Sequence, residues 1–425
     1  MKLFKDKKVV IMGLGLHGGG VGVANFFYKQ GAKLMITDLR SRKELKPSLE
    51  KLKDLPIKFV LGKHRKQDFT DADLIIRNPG VPRESFYLKI AEENNISVKT
   101  DIDIFFDLCP ADIIGITGTK GKSTTATLIY LLLKKKYPNS VLAGNIGISP
   151  LEILNKINKK TRVVLELSSF ALENLKKSPQ VAVITTLFPD HLNRYKSFKE
   201  YVEAKKAIFK YQNEKDILIL NQDNLNTKKL SSEAKSKVYF FKGSNRAAAL
   251  LTAKLFKIPD KQIKNVLSKF KGIPNRQEII AIKEEVRYVN DTTATTPESV
   301  ILAIKTFKEK FPNLKIILIA GGEDKNLNYK ELAKTIKNKV AHLILLPGTA
   351  SDKIKKELSE VRPREVSRGR TSVFFVKSMV QAVKKSSELA QKGDIVLLSP
   401  GAASFNLFDN EFDRARRFID AIKKI

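Results

Sequence analysis

The chain has a single cysteine, Cys109, which rules out an internal disulfide framework and fits a reducing compartment. No stretch approaches the ~20 apolar residues that a membrane-spanning helix needs, so membrane insertion is not expected. Solenoid-period repeats and low-complexity tracts are also missing, which sets repeat and disordered architectures aside. Acidic residues are scarce beside basic ones: 45 Asp and Glu face 78 Lys and Arg, a formal net charge of +33. Such an excess suits polyanions. The lysines are spread along the whole chain, however, with no basic helix or aromatic–basic module. A solvated Lys-rich surface that also welcomes small anionic substrates is the favoured reading, and nucleic acid is not expected as a partner.

What is present indicates a folded protein. Of 425 residues, 42% are hydrophobic and 29% charged, and the length suits about two to four domains. MKLFKDKK before VVIMGLGL imitates a secretion signal, but the apolar run is short and leads into HGGGVG, so a first strand entering a turn is expected. Short apolar runs (KLMITD, DLIIRN, DIIGIT, RVVLEL, VAVITT, DILILN, KIILIAGG, HLILLPG, DIVLLSPG) alternate with amphipathic stretches, the pattern of strands buried on both faces in parallel α/β sheets. Three blocks are expected: 1–108, 109–273 and 274–425, with the Gly/Pro-containing FKGIPNRQEI as the second hinge.

Two glycine-rich turns carry chemistry. Gly13-Leu-Gly15-Leu-His17-Gly18 fits G-x-G-x-x-G after a strand, with Asp38 closing the next strand. This dinucleotide fingerprint leaves NAD or FAD, another phosphorylated ligand and a purely structural turn all open. Gly118-Thr119-Lys120-Gly121-Lys122-Ser123-Thr124 is a shortened phosphate loop between the strand DIIGIT and an apolar helix. Its backbone N–H groups would wrap phosphates, Lys122 would add charge, and Ser123 would ligate Mg²⁺. Glu166 ends the run RVVLEL and is a candidate second ligand, the alternative being a paired core charge. Asp190 and His191 stand beyond VAVITT, where α/β sheets bind ligands. In SFKEYVEAKKAIF, Lys205 falls in the centre of the stripe made by Phe198, Tyr201, Val202, Ile208 and Phe209. It either snorkels or is neutralised, in the latter case by loss of its proton or by CO₂ capture as a metal-binding carbamate.

The ordered segments MGLGLHG, TDLR, NPGVP, TGTKGKST, GNIG, LELSSFALE, PDHLNRY, EAKKAIF, NDTTATTP, GGEDK and LSPGAASF, from residue 12 to about 418, resemble the Mur ligases. The resemblance implies an α/β protein of three domains: a Rossmann-like N-terminal domain, a central P-loop-type ATPase domain with a mainly parallel sheet, and a Rossmann-like C-terminal domain. It implies a cytoplasmic, monomeric, ATP- and Mg²⁺-dependent ligase joining D-glutamate to UDP-N-acetylmuramoyl-L-alanine through an acyl phosphate.

The two phosphate loops would then serve two nucleotides. Leu16, His17, Asp38, Arg40 and Gly80 are implied to contact the uridine nucleotide. Gly118 to Thr124, with Arg276 and Asp291, would serve ATP. Asn145, Lys122, His191 and Lys205 are implied catalytic residues. Ser123, Glu166, His191 and a carbamylated Lys205 are implied metal ligands, and Lys325, Ser404 and Phe405 would hold D-glutamate.

Some positions depart from the family. Thr293 stands where a lysine is frequent, so one cation fewer is expected near the phosphates unless Lys120 or Arg276 replaces it. The stretch from Asn221 to Gly243 looks abridged, and GSNRAAALLTA carries alanines where a second adenine-seating Asn belongs. LFDNEFDRARRF shifts the order around the final aromatic. A sister ligase for another amino acid, folylpolyglutamate synthase, a nicotinamide-dependent oxidoreductase and a non-catalytic nucleotide sensor are the rival readings.

Overall fold

The computed structural model describes residues 2–16, 18–146, 149–191, 194–324, 327–361, 371–404 and 407–425. They divide into two compact units, 1–270 and 271–425. The first unit holds two sheets and the second holds one.

The first sheet joins β1 (Lys8–Met12), β2 (Lys33–Asp38), β3 (Lys58–Leu61), β4 (Leu74–Arg77) and β5 (Ser97–Lys99) in the order β3-β2-β1-β4-β5. All its pairs are parallel. This order reverses direction between β1 and β4, and the crevice at such a switch point is where doubly wound sheets bind ligands. The glycine turn after β1 and the loop after β4 both open there.

The second sheet has six parallel strands: β6 (Asp112–Thr117), β7 (Val141–Gly144), β8 (Arg162–Glu166), β9 (Val181–Ile184), β10 (Ile217–Asn221) and β11 (Lys237–Phe241). Their order is β11-β10-β9-β6-β8-β7. Except for Asp112, β6 is buried throughout, as is all of β9, as the continuous apolar runs required. A shared apolar cluster runs from Val9, Ile11 and Phe105 to Val163, Leu165 and Ile208. It welds the first two sheets into one unit.

The third sheet follows the order β12-β13-β17-β14-β15-β16, built from β12 (Glu278–Lys283), β13 (Val286–Asn290), β14 (Ile316–Gly321), β15 (His342–Leu346), β16 (Ser372–Phe375) and β17 (Ile395–Leu398). Only β12 runs antiparallel, as a hairpin partner of β13. Its turn residues Glu284 and Glu285 both have positive φ, the backbone that lets a tight hairpin match strand twist. Among the described residues no helix is long and apolar enough to cross a membrane.

Candidate active site

The phosphate loop leaves β6 and enters the helix Lys122–Leu133. Gly118 (φ 145°) and Gly121 (φ 87°) adopt backbone that side chains resist, and they have no room for one. A Cβ would fall 2.0 Å from Thr185 Oγ1 at Gly118 and 2.3 Å from Asn245 Oδ1 at Gly121. The loop is fastened from the neighbouring strand end. Thr119 N donates to Thr186 O (2.6 Å), Lys120 N to Thr186 Oγ1 (3.1 Å) and Thr185 Oγ1 to Lys120 O (2.5 Å). Thr119 Oγ1 also lies 3.1 Å from the Tyr201 hydroxyl. Lys122 Nζ turns onto its own loop, donating to Gly118 O (3.0 Å) and Thr119 O (3.1 Å). Ser123 is buried, and Thr124 is half-buried in the first turn.

Lys205 lies on the helix Phe198–Lys210, which Ser197 caps by accepting from Glu200 N. Its side chain is buried, 2% exposed, so it does not snorkel to water. Nζ donates to Gly118 O (3.2 Å) and to Thr117 Oγ1 (3.4 Å) and lies 4.7 Å from the centre of the Tyr201 ring. Burial first, then the charge of Lys122, hold this ammonium well below the usual lysine range, against the opposing pull of Asp190 and Glu166. The arrangement disfavours the charged form.

Glu166 ends β8 and is 1% exposed. One carboxylate oxygen accepts from Asn145 Nδ2 (3.2 Å). The other, Oε2, is buried without a partner among the described residues. An orphaned carboxylate oxygen beside a phosphate loop suits a cation. His191 takes a left-handed backbone (φ 54°), leaves 45% of its side chain exposed and packs 4.9 Å from Phe170. Burial, then the nearby lysine charges, lower its pKa against the opposing pull of Asp190. The described residues contain no group of three or more His, Cys, Asp and Glu side chains able to hold a metal by themselves.

A cavity of about 380 Å³ opens between the first two sheets. Leu16 and Gly80 line it from one side, Asn145, Glu166 and Ser168 from the other. The expected sugar-nucleotide residues therefore divide. Leu16 and Gly80 reach this cavity. Asp38 is turned onto the glycine turn, accepting from Leu14 N (2.9 Å), Gly15 N (3.2 Å) and Arg40 N (2.9 Å). The Arg40 side chain is exposed, and His17 lies outside the described residues.

In the second unit, Asp291 accepts from Gln277 N (3.1 Å) and Ser399 Oγ (2.8 Å). Ser404 is buried, and Arg276 is exposed. Thr293 Oγ1 is occupied by Asn275 O (3.0 Å). Lys325 and Phe405 lie outside the described residues.

The short stretch after Asn221 forms a closed connection. Asn224 caps the helix Leu225–Lys229, and Asn224 and Asn226 both bond Leu187. Ala248 and Ala249 are fully buried in the apolar cluster that also holds Ala126 and Ile129 of the phosphate-loop helix.

Sequence reading missed several residues that shape the site: Thr185 and Thr186, Tyr201 as a partner of Thr119, Asn245 against Gly121, and an ionic cluster of Arg77, Glu173 and Arg194. The polar pair closing VAVITT was a usable signal for the first two. The ionic cluster has none, because its members are far apart in the chain.

Residues 7–100 match the family pattern described as "Mur ligase MurD-like, N-terminal domain". Residues 116–281 match "Mur ligase middle domain", and residues 275–401 match "Mur ligase, glutamate ligase domain". The chain is 39% identical to a UDP-N-acetylmuramoylalanine–D-glutamate ligase of Roseiflexus sp. (strain RS-1), over 97% of each chain. It is 37% identical to one of Borreliella burgdorferi (strain ZS7), over 99% of this chain and 98% of the other. Among solved structures it resembles UDP-N-acetylmuramate-alanine ligase MurC of Thermotoga maritima, with TM-score 0.63 at 18% identity, covering 98% and 99% of the two chains. It also resembles MurF of the same organism in complex with ADP, with TM-score 0.56 at 18% identity, covering 100% and 96%. Matched in three consecutive regions and alike over nearly its whole length, this chain belongs to the Mur ligase family.

Proposed function

We propose that this protein joins D-glutamate to the alanyl carboxylate of UDP-N-acetylmuramoyl-L-alanine with ATP hydrolysed to ADP and phosphate, acting as a cytoplasmic monomer. The observation that carries this reading is the shared cavity. It brings the glycine turn that would hold one nucleotide into one space with Asn145 and Glu166, which stand beside the loop that would hold the other.

The carboxylate of the sugar nucleotide attacks the γ-phosphorus of ATP, ADP departs, and an acyl phosphate forms. The amine of D-glutamate then attacks the acyl carbon and expels phosphate. No protein nucleophile is required; positioning and charge stabilisation do the work. The loop amides and Lys122 face the phosphates, Lys122 exchanging its bonds to Gly118 O and Thr119 O for phosphate oxygens. Asn145, held by Glu166, orients the reacting carboxylate, and Ser404, Lys325 and Phe405 are the residues assigned to the incoming amino acid.

Ser123 Oγ, Glu166 Oε2, His191 and a carbamate on Lys205 are the groups that would hold Mg²⁺, which when bound offsets the triphosphate charge. Burial that disfavours the Lys205 ammonium supports the carbamate: the amine form adds to CO₂ and releases one proton. Phosphate release from ATP with UDP-N-acetylmuramoyl-L-alanine, scanned over amino acids including D- and L-glutamate, tests the reading. Release that depends on D-glutamate is expected. Preference for another amino acid would favour a sister ligase, and ATP binding without release would favour a sensor.

A further inference from the structure

Three charged side chains from the two halves of the first unit meet beside the cavity, and the proposed ligation does not use them. Arg77 ends β4 and is 1% exposed. Its Nη1 donates to Val81 O (2.9 Å) and lies 2.8 Å from Glu173 Oε1. Arg194 comes from the other half and converges on the same carbonyl and the same carboxylate. Its Nη2 donates to Val81 O (3.0 Å) and lies 3.7 Å from Glu173 Oε1, while Nη1 reaches Gly80 O (3.4 Å). Arg77 Nε and Nη2 and Glu173 Oε1 have no hydrogen-bond partner among the described residues, so Glu173 Oε1 meets both guanidiniums as an ion pair only. One carboxylate thus sits between two arginines, one from each half of the unit, and both grip the loop that carries Gly80.

The same segment holds the His191 turn. Arg194 N and Tyr195 N both donate to His191 O (2.8 and 3.0 Å). The Arg194 guanidinium lies over Phe170 at 5.0 Å, and Tyr195 stacks on Phe170 while its hydroxyl faces Glu173 (3.4 Å). His191 has a left-handed backbone, which persists in a non-glycine residue only where its surroundings enforce it.

We propose that Arg77, Glu173 and Arg194 form an interdomain clasp that fixes the sugar-nucleotide loop at Gly80–Val81 to the turn that aims His191, making them positioning residues for the ligation. The clasp rests on the ligase reading given above. It predicts that the sugar-nucleotide loop and the His191 turn loosen together when any one member is lost, because buried charge partners left alone are strongly unfavourable.

The test has two arms. In the substrate-free full-length protein, hydrogen exchange is followed for Glu173→Gln and Arg194→Lys. Faster exchange at both Gly80–Val81 and Arg194–Tyr195, with the helix Lys122–Leu133 unchanged, is the expected result. Loosening at only one segment, or at neither, overturns the clasp whatever the ligase assay shows. If Glu173→Gln fails to fold, Arg194→Lys decides. In the assay, Arg194→Ala should raise KM for UDP-N-acetylmuramoyl-L-alanine by about tenfold and lower kcat, with KM for ATP moving by less than about twofold and partial recovery in Arg194→Lys. Equal changes in both KM values, or none, overturn the positioning role. A wild-type protein without turnover would sink the ligase reading alone and leave the exchange arm to decide the clasp.

Discussion

Lys122 and Lys205 donate to one and the same acceptor, the carbonyl of Gly118, at 3.0 and 3.2 Å. The two lysines differ in surroundings: Lys205 is buried and Lys122 only half-buried. Burial and the neighbouring Lys122 charge therefore depress the Lys205 pKa. Where its folded pKa lies below the unfolded value, the unfolded chain holds the proton longer as pH rises. Stability climbs with pH across that window, and the full penalty stands below it.

Lys205→Met should accordingly stabilise the ligand-free protein in CO₂-stripped buffer at neutral pH, with the gain shrinking as pH approaches the ordinary lysine value. Thermal melts over pH check this. The same variant should lose turnover. Bicarbonate should restore activity to CO₂-stripped wild type, and a short carboxylic acid should partly restore Lys205→Ala. Melts unchanged by the substitution, together with no rescue, would remove the case for a neutral, carbamate-forming amine.

Lys122→Ala should cost at least ~10²-fold in kcat, the scale of losing a charge-stabilising group. The melting temperature should change far less than turnover, because losing the bonds to the loop is offset by relief of the Lys122 charge on the buried Lys205. Phosphate-release kinetics paired with a melt separate the two effects. Near-normal turnover would count against the phosphate assignment.

Gly121→Ala probes the loop itself. A left-handed backbone costs an alanine about 1–2 kcal/mol, and the new methyl would displace Asn245. ATP affinity measured by calorimetry should fall, with a smaller drop in melting temperature. Unaltered affinity would mean that the loop does not hold the nucleotide.

Much of this site was legible because its residues break a local pattern. Glu166 closes an otherwise apolar strand end, Lys205 interrupts an apolar helical stripe, and the glycines of GTKGKS precede a helix. Each departs from what propensity alone would choose, as residues at functional or strained sites do. The residues that were not legible obey local rules and act only across the fold. Arg77, Glu173 and Arg194 are ordinary polar neighbours of strand and helix ends until the chain brings them together. Asp38 has a task that its place at the end of β2 did not show: its oxygens accept from Leu14 N and Gly15 N of the glycine turn and from Arg40 N, supplying acceptors that these backbone N–H groups need. The alanines at 248 and 249 read as a lost adenine contact and serve as close packing against the phosphate-loop helix.

Asp101 opens the helix Asp101–Leu108, capped by Thr100 and Asp103, and lines the cavity. Burial, reinforced by Asp103, pushes its pKa up to about 6 despite the backbone N–H of Ile102 and the charge of Arg77. The folded state thus holds a proton that the unfolded chain has already lost between roughly pH 4 and 6, so stability falls as pH rises through that window. Asp101→Asn should stabilise the protein at pH 7 and leave it little changed at pH 4. Urea melts at the two pH values check this, and an equal effect at both would show that the carboxylate charge is not the cause.

Arg414 makes the last case, in the second unit. It is fully buried and donates to Thr292 Oγ1 (3.0 Å), Thr292 O (2.8 Å) and Ala402 O (3.3 Å). Burial lowers its pKa to about 10 against the counter-pull of Glu411. The guanidinium ties the loop after β13, which carries Asp291, to the loop after β17, which carries Ser404. Arg414→Met removes every donor and orphans buried carbonyls, each costing about 1–3 kcal/mol. Urea denaturation should show the loss in the unit spanning 271–425. Arg414→Lys keeps the charge but not the planar fork, so it should fold and bind ATP normally while KM for D-glutamate rises. A rise in KM for ATP with none for D-glutamate would show that this tie does not serve the amino-acid site.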